Sequence, residues 1–241
     1  MKINNLLSPN FDKKRRSKSI IKLVVIHYTG MQSERESIRR LRNPKTKVSS
    51  HFVINLKGKI YRLVDDNKVA WHAGISCWGK HQNLNKYSIG IELVNRGHKY
   101  GYTNFKKQQL LSLIKICKNL IYKYKIKKQN IVGHSDIAPL RKIDPGEKFP
   151  WKKLANKKIG LWYNCNSSFL KRNRNNRILN KKDKLIFIKN LKKIGYCFSN
   201  KRKFSLTKTI KAFQRHYRPE LINGNFDKEC AIIAKNLSKN L

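Results

Sequence analysis

The chain predicts an α/β fold, a central mixed β-sheet flanked by helices, followed by a small three-helix unit at the carboxyl end. Three observations carry this. Leu23-Val24-Val25-Ile26 is a continuous apolar run that reads as a buried strand, and Ser88 to Asn95 alternates Ile89, Ile91 and Leu93 with Gly90 and Glu92, the period of a strand with one buried face. Helical and extended patterns alternate through the first two thirds of the sequence, which favours a sheet with helices on its faces. Beyond Asp183 the apolar residues recur at helical spacing alone.

Taken in order, residues 1–18 end in Lys13-Lys14-Arg15-Arg16-Ser17-Lys18 and read as a solvated basic segment. The first strand runs from Ile20 to His27, and Ser33 to Leu41 reads as a helix stopped before Pro44. Ser49 to Leu56 and Lys59 to Val64 form a β-hairpin about Lys57-Gly58, with His51 a structural residue of its first strand. Trp71-His72-Ala73-Gly74 opens a polar loop. The strand from Ser88 turns Glu92 away from its apolar face, toward solvent or a cleft. Phe105 to Tyr122 carries Leu110, Leu113, Ile114, Cys117, Leu120 and Ile121 at helical spacing, with Thr103 as its expected cap.

Ile131 to His134 is a short strand leading into a loop that reaches Gly146. Pro139 and Pro145 make that loop non-helical and hold Ala138 and Asp144 extended. Lys152 to Asn156 closes the first unit as a short helix. Residues 164–180, rich in Asn, Ser and Arg, read as a linker. Asp183 to Ile194, Leu206 to Tyr217 and Asp227 to Leu237 are the three final helices. The expected division is therefore 1–18, 19–163, 164–180 and 181–241, the last of about 60 residues and marginal unless it leans on its neighbour.

The charge is extreme: 56 Lys and Arg face 13 acids, a net charge of +43, and Asp183 is the sole acid between Trp151 and Arg218. Such a surface suits a polyanion, whether nucleic acid, an anionic membrane or carboxylate-bearing peptides, and is expected to localise the protein rather than catalyse. AT-rich coding would also produce it, since Lys, Asn and Ile are abundant throughout. With no aromatic platform or groove-reading motif among the cations, no specific nucleic-acid partner is expected. The 5 cysteines are scattered and odd in number, do not read as a disulfide framework, and fit a reducing compartment. Residues 1–18 lack the apolar run of a signal peptide and nothing approaches a membrane span, so a cytoplasmic location is expected, with action in the periplasm or cell envelope left open; the oligomeric state is not read from the sequence and a monomer is assumed.

The chemistry concentrates in the loop from Gly133 to Gly146. His134 and Asp144, with His27 at the end of the first strand, make two imidazoles and a carboxylate, a set that can hold Zn²⁺ and leave its fourth position for water. Spacing alone does not select this triple, because 7 histidines offer many others. The ordered motifs His27-Tyr28-Thr29-Gly30, Ser50-His51-Phe52-Val53-Ile54, Trp71-His72-Ala73-Gly74, Ser88-Ile89-Gly90-Ile91-Glu92 and Gly133-His134-Ser135-Asp136 through Lys142-Ile143-Asp144-Pro145-Gly146 do more. Together they resemble the zinc-dependent N-acetylmuramoyl-L-alanine amidases, the superfamily that includes the peptidoglycan recognition proteins.

That resemblance covers roughly residues 8–163. It implies zinc ligands at His27, His134 and Asp144, catalytic assistance from Glu92 and Lys142, and a peptidoglycan or muropeptide substrate. Trp71 and His72 are expected at the cleft rim, an indole to stack on sugar and an imidazole to reach a substrate oxygen. Thr209 to Pro219 with Asn223-Gly224-Asn225-Phe226-Asp227 resembles a degenerate peptidoglycan-binding module, with Asn223 where that module has Asp. Two other readings stand beside hydrolysis: a binding-only receptor, whose relatives typically lack a zinc ligand, and a basic nucleic-acid binder.

Overall fold

The computed structural model describes residues 2–176, 180–198 and 205–241; Met1, residues 177–179 of the expected linker and residues 199–204 lie outside the described residues. Among the described residues ten strands occur in order: β1 (Ile3–Asn5), β2 (Phe11–Asp12), β3 (Leu23–Tyr28), β4 (Phe52–Ile54), β5 (Ile60–Arg62), β6 (Val69–Ala70), β7 (Cys77–Trp78), β8 (His81–Gln82), β9 (Ser88–Leu93) and β10 (Ile131–Gly133). The helices are α1 (Glu34–Arg42), α2 (Lys107–Tyr124), α3 (His134–Ile137), α4 (Trp151–Ala155), α5 (Ser167–Arg172), α6 (Lys181–Ile194), α7 (Leu206–Tyr217) and α8 (Lys228–Lys239). One sheet of order β1-β5-β4-β9-β3-β10 organises them. Its ladders are parallel except for the β4–β5 hairpin, so the sheet is mixed as expected.

The pleat divides the sheet into two differently covered faces. Val24, Ile26, Ile89 and Ile91 point to one side, where they pack with Leu113, Ile116, Cys117 and Leu120 of α2. Leu23 and Val25 point to the other, where Val132 joins them in a cluster that continues into Phe187, Leu191, Phe213 and Ile233 of the carboxyl-terminal helices. Those helices therefore share a core with the central strands. Farther along the same face, His27 and Glu92 replace the apolar residues, so the site begins where the helical cover ends.

Several local expectations need correction. Residues 1–18 are built into the fold: β1 pairs with β5, β2 pairs with β6, and Arg16 is buried. Its guanidinium donates to the carbonyls of Asp66 at 3.0 Å and Ser88 at 2.8 Å, which is how a cation inside a basic cluster becomes an internal strut. α2 begins after Lys106, whose backbone N–H donates to the Gln109 side chain at 3.1 Å, so Thr103 is not its cap. The loop from Gly133 does hold one helical turn, α3, because Asp136 accepts from the Gly133 N–H at 2.7 Å and the turn finishes before Pro139. Part of the expected linker is the helix α5.

The cysteine expectation also fails. Cys77 in β7 is disulfide-bonded to Cys197, just beyond α6, with a Cα separation of 5.9 Å across 120 residues of sequence. Cys117, Cys165 and Cys230 are free thiols. Within the carboxyl-terminal helices, Arg218 is fully buried and donates to Asp227 at 2.9 Å and Glu229 at 3.1 Å. Asn223 accepts from the Asn225 N–H at 2.9 Å and from Gln214 at 3.1 Å, which commits its side-chain oxygen to the local turn. Among the described residues, no helix is long and apolar enough to cross a membrane.

Candidate metal centre

Three chain segments converge at the carboxyl ends of the parallel strands. β3 delivers His27, the first residue of α3 is His134, and the loop after α3 returns Asp144. Asp144 is held there by its own backbone: its carbonyl accepts from the Ser135 N–H at 2.8 Å. The result is a near-equilateral triangle, with Nδ1 of His27 3.0 Å from Nδ1 of His134, and Oδ2 of Asp144 3.0 and 3.1 Å from those two nitrogens. All three residues are buried.

The hydrogen-bond directions decide what this triangle offers. Ser88 has one hydroxyl proton and donates it to the Leu84 carbonyl at 2.6 Å, so Ser88 Oγ accepts from Nε2–H of His72 at 3.1 Å. His72 Nδ1 must then accept from Nε2–H of His27 at 3.0 Å, which leaves the lone pair of His27 Nδ1 facing the triangle. His134 reaches the same state independently, its Nε2–H donating to the Ala73 carbonyl at 3.2 Å. Two imidazole lone pairs and a carboxylate oxygen thus face one another with no proton between them. That donor set fits a divalent cation, and the partner on each far nitrogen is the arrangement that orients metal-bound histidine.

Electrostatics agree with this reading. Burial, reinforced by His134, lowers the pKa of His27 to about 4 and keeps it neutral. Burial by itself raises Asp144; only a proton placed in the triangle by His134 or His27 holds its carboxylate below the ordinary value, so that lowering describes a protonated, metal-free triangle. Glu92 behaves oppositely: burial, then the charge of Asp144, pushes it up to about 8 against the opposing pull of Lys142 and Arg40. Its Oε2 is sequestered and has no hydrogen-bond partner.

A cleft of about 430 Å³ opens over the triangle, lined by Glu92, Lys142 and Trp71 among others. Trp71 donates its indole N–H to Asp12 at 2.6 Å, leaving the ring as its contribution to the wall. His72 borders the cleft, as expected of a rim residue, with its ring nitrogens bonded to His27 and Ser88. Gly90 makes this possible, since a Cβ there would lie 2.5 Å from the His72 ring. His51 is structural as expected, fully buried with Nδ1 accepting from the Gly90 N–H at 3.0 Å.

Two participants lie within the quoted motifs but were given no role from the sequence. Ser88 terminates the proton-direction chain, a role its strand pattern does not announce. Arg141 donates to the carbonyls of Ala73 and Ile75, tying the ligand loop to the loop after Trp71.

Residues 16–147 match the family model described as N-acetylmuramoyl-L-alanine amidase. The chain belongs to the N-acetylmuramoyl-L-alanine amidase family. It is 38% identical over 234 residues to the amidase AmiD of Escherichia coli, a match spanning 90% of this chain and 82% of that one. A solved complex of AmiD with anhydro-N-acetylmuramic acid-L-Ala-D-gamma-Glu-L-Lys superposes with a TM-score of 0.80 at 34% identity, covering 95% of this chain and 92% of AmiD. AMPDH3 from Pseudomonas aeruginosa, solved with an anhydromuramic pentapeptide, gives a TM-score of 0.79 at 29% identity over 98% of this chain and 99% of that one. These likenesses extend through the carboxyl-terminal helices, beyond the segment the family model matches.

Proposed function

We propose that this chain hydrolyses the amide between the lactyl group of N-acetylmuramic acid and L-alanine in peptidoglycan or muropeptides, with zinc held by His27, His134 and Asp144. The observation that carries the metal assignment is the convergence of three unprotonated donors whose far sides are fixed by hydrogen bonds. Zinc, when bound, supplies Lewis acidity at the scissile carbonyl and makes water more acidic.

Glu92 is the general base and acid. In its ionised form the Glu92 carboxylate, which lines the cleft, receives the proton of the attacking water as the new C–O bond forms, then returns it to the alanine nitrogen as the C–N bond breaks. The products are a lactyl carboxylic acid and a peptide with a free amino terminus. Lys142, two residues before Asp144 and facing the cleft, stabilises the negative charge that develops on the carbonyl oxygen. The Trp71 ring offers an apolar wall to the substrate.

Retention of the complete donor set argues against a binding-only role. The Cys77–Cys197 bond supports work in an oxidising compartment, such as the cell envelope, over the reducing one expected from the cysteine pattern. The test is an assay of the purified protein on a soluble anhydro-muropeptide and on intact wall, with and without a chelator. Release of free stem peptide, lost on chelation and restored by zinc, is expected. Undiminished hydrolysis by protein verified to be metal-free would overturn the proposal.

A further inference from the structure

α3 is too short to hold its own geometry. A single turn leaves its backbone donors without internal partners and gains nothing from helix propagation, so its placement depends on contacts from outside. Yet its first residue is His134. The contact that fixes it is made by Asp136, a fully enclosed side chain whose carboxylate receives three donors. One is the Gly133 N–H at 2.7 Å, from the turn itself. The other two come from the carboxyl-terminal unit: Tyr196, just after α6, donates its hydroxyl to Oδ1 at 2.8 Å, and His216 of α7 donates Nδ1–H to Oδ2 at 2.7 Å.

His216 is itself clamped. Its ring stacks on Trp151 of α4 at 3.9 Å between centroids and on Tyr217 at 4.0 Å, with interplanar angles of 12° and 16°. The Tyr196 ring packs edge-on against Trp78, next to the disulfide. The donors reaching Asp136 are therefore rigid, and the same turn binds Asp144 through the Ser135 N–H. Both the imidazole of His134 and the backbone of Asp144 hang on this one anchored turn.

We propose that Tyr196 and His216 are positioning residues for the metal centre: by gripping Asp136 they set α3, and through it the spacing of His134 and Asp144. The carboxyl-terminal helices then complete the catalytic unit, whatever they do toward the wall. This inference rests on the zinc reading of the His27, His134 and Asp144 site.

The test measures zinc affinity by chelator competition, alongside the thermal midpoint of the metal-free protein, for Tyr196→Phe, His216→Leu and His216→Asn. Loss of a group bonded directly to a ligand weakens metal binding about 10- to 100-fold; Tyr196 and His216 act one contact farther out, so Tyr196→Phe and His216→Leu are expected to raise the zinc dissociation constant by the low end of that range, about tenfold. His216→Asn, which keeps an N–H where Nδ1–H stood, is expected to preserve affinity. A merely structural role would lower the midpoint and leave zinc affinity unchanged. Zinc affinities of Tyr196→Phe and His216→Leu within twofold of the wild type overturn the inference; should His216→Leu not fold, Tyr196→Phe decides alone. Wild-type protein that takes up no zinc overturns the underlying site assignment as well.

Discussion

His27 and Glu92 are direct partners in the parallel β3–β9 ladder, so a metal donor and the unpaired carboxylate stand side by side on one face of the sheet. The strand register, rather than a loop, fixes the distance between them. Glu92→Gln keeps the shape and removes the base. The expected outcome is retained stoichiometric zinc with the rate lowered by roughly 10²- to 10⁴-fold. A near-normal rate on the muropeptide would reduce Glu92 to a wall of the cleft.

His72 tests the chain of hydrogen-bond directions. His72→Ala leaves Nε2–H of His27 without its acceptor and frees the ring to rotate or change tautomer. Zinc affinity is expected to fall about 10- to 100-fold, measured by competition with a chromogenic chelator. If instead KM rises while zinc affinity is unchanged, His72 acts on substrate, as the sequence suggested.

The contrast between these residues shows what a sequence exposes. His27, His134 and Asp144 lie in motifs with a recognisable order, and the strand period already turned Glu92 out of the apolar face. The role of His72 depends on its ring lying across Gly90, a contact that neither motif encodes alone. Arg16 looked solvated because its neighbours are, yet its hydrogen bonds go to the carbonyls of residues 50 and 72 positions away. Asp136 with His216, and Cys77 with Cys197, are pairings between distant segments that no local period announces.

Acid should weaken the fold in a defined direction. Burial, then the charge of Arg16, lowers His51 to about 3, whereas in the unfolded chain it titrates near 6.5. Between those values the unfolded state binds the proton and the folded state does not, so stability falls as pH drops. One such group contributes about 1.4 kcal/mol per pH unit through that window. Denaturant midpoints of metal-free protein between pH 7.5 and 5 should show this loss. His51→Asn, which keeps an acceptor for the Gly90 N–H but cannot titrate, should make the slope shallower; an unchanged slope would assign the proton uptake elsewhere.

Reduction should also matter. The Cys77–Cys197 bond joins segments 120 residues apart, and a loop of that length corresponds to about 4 to 5 kcal/mol of unfolded-chain entropy. Cys197→Ser, or the native protein in excess thiol, is expected to unfold at a lower denaturant concentration, with a loss of about 2 to 5 kcal/mol. Identical midpoints with and without reductant would show that the bond does not form in solution.

Truncation tests the sequence reading that the carboxyl-terminal charge localises the protein rather than catalyses, while the last helices lean on their neighbour. In the structure, Leu23, Val25, Val132 and Ile137 lie in the same cluster as Phe187, Leu191 and Phe213, and each of the four is at most 2% exposed. Ending the chain at residue 163 would uncover that face. At about 1.5 to 3 kcal/mol for each buried aliphatic side chain, full exposure of these four would cost about 6 to 12 kcal/mol, an upper bound because Ala73, Trp78 and Leu84 of the same cluster remain. A domain's whole stability is about 5 to 15 kcal/mol, so the loss is comparable to the total. Asp136 would at the same time lose Tyr196 and His216, the two donors that anchor the turn carrying His134. The fragment is therefore expected to be aggregation-prone, to expose apolar surface to a fluorescent dye, and to lack zinc-dependent hydrolysis of even a small muropeptide. A soluble, cooperatively folding fragment with wild-type kcat/KM would make the carboxyl-terminal helices an accessory and show that the first unit covers its own face.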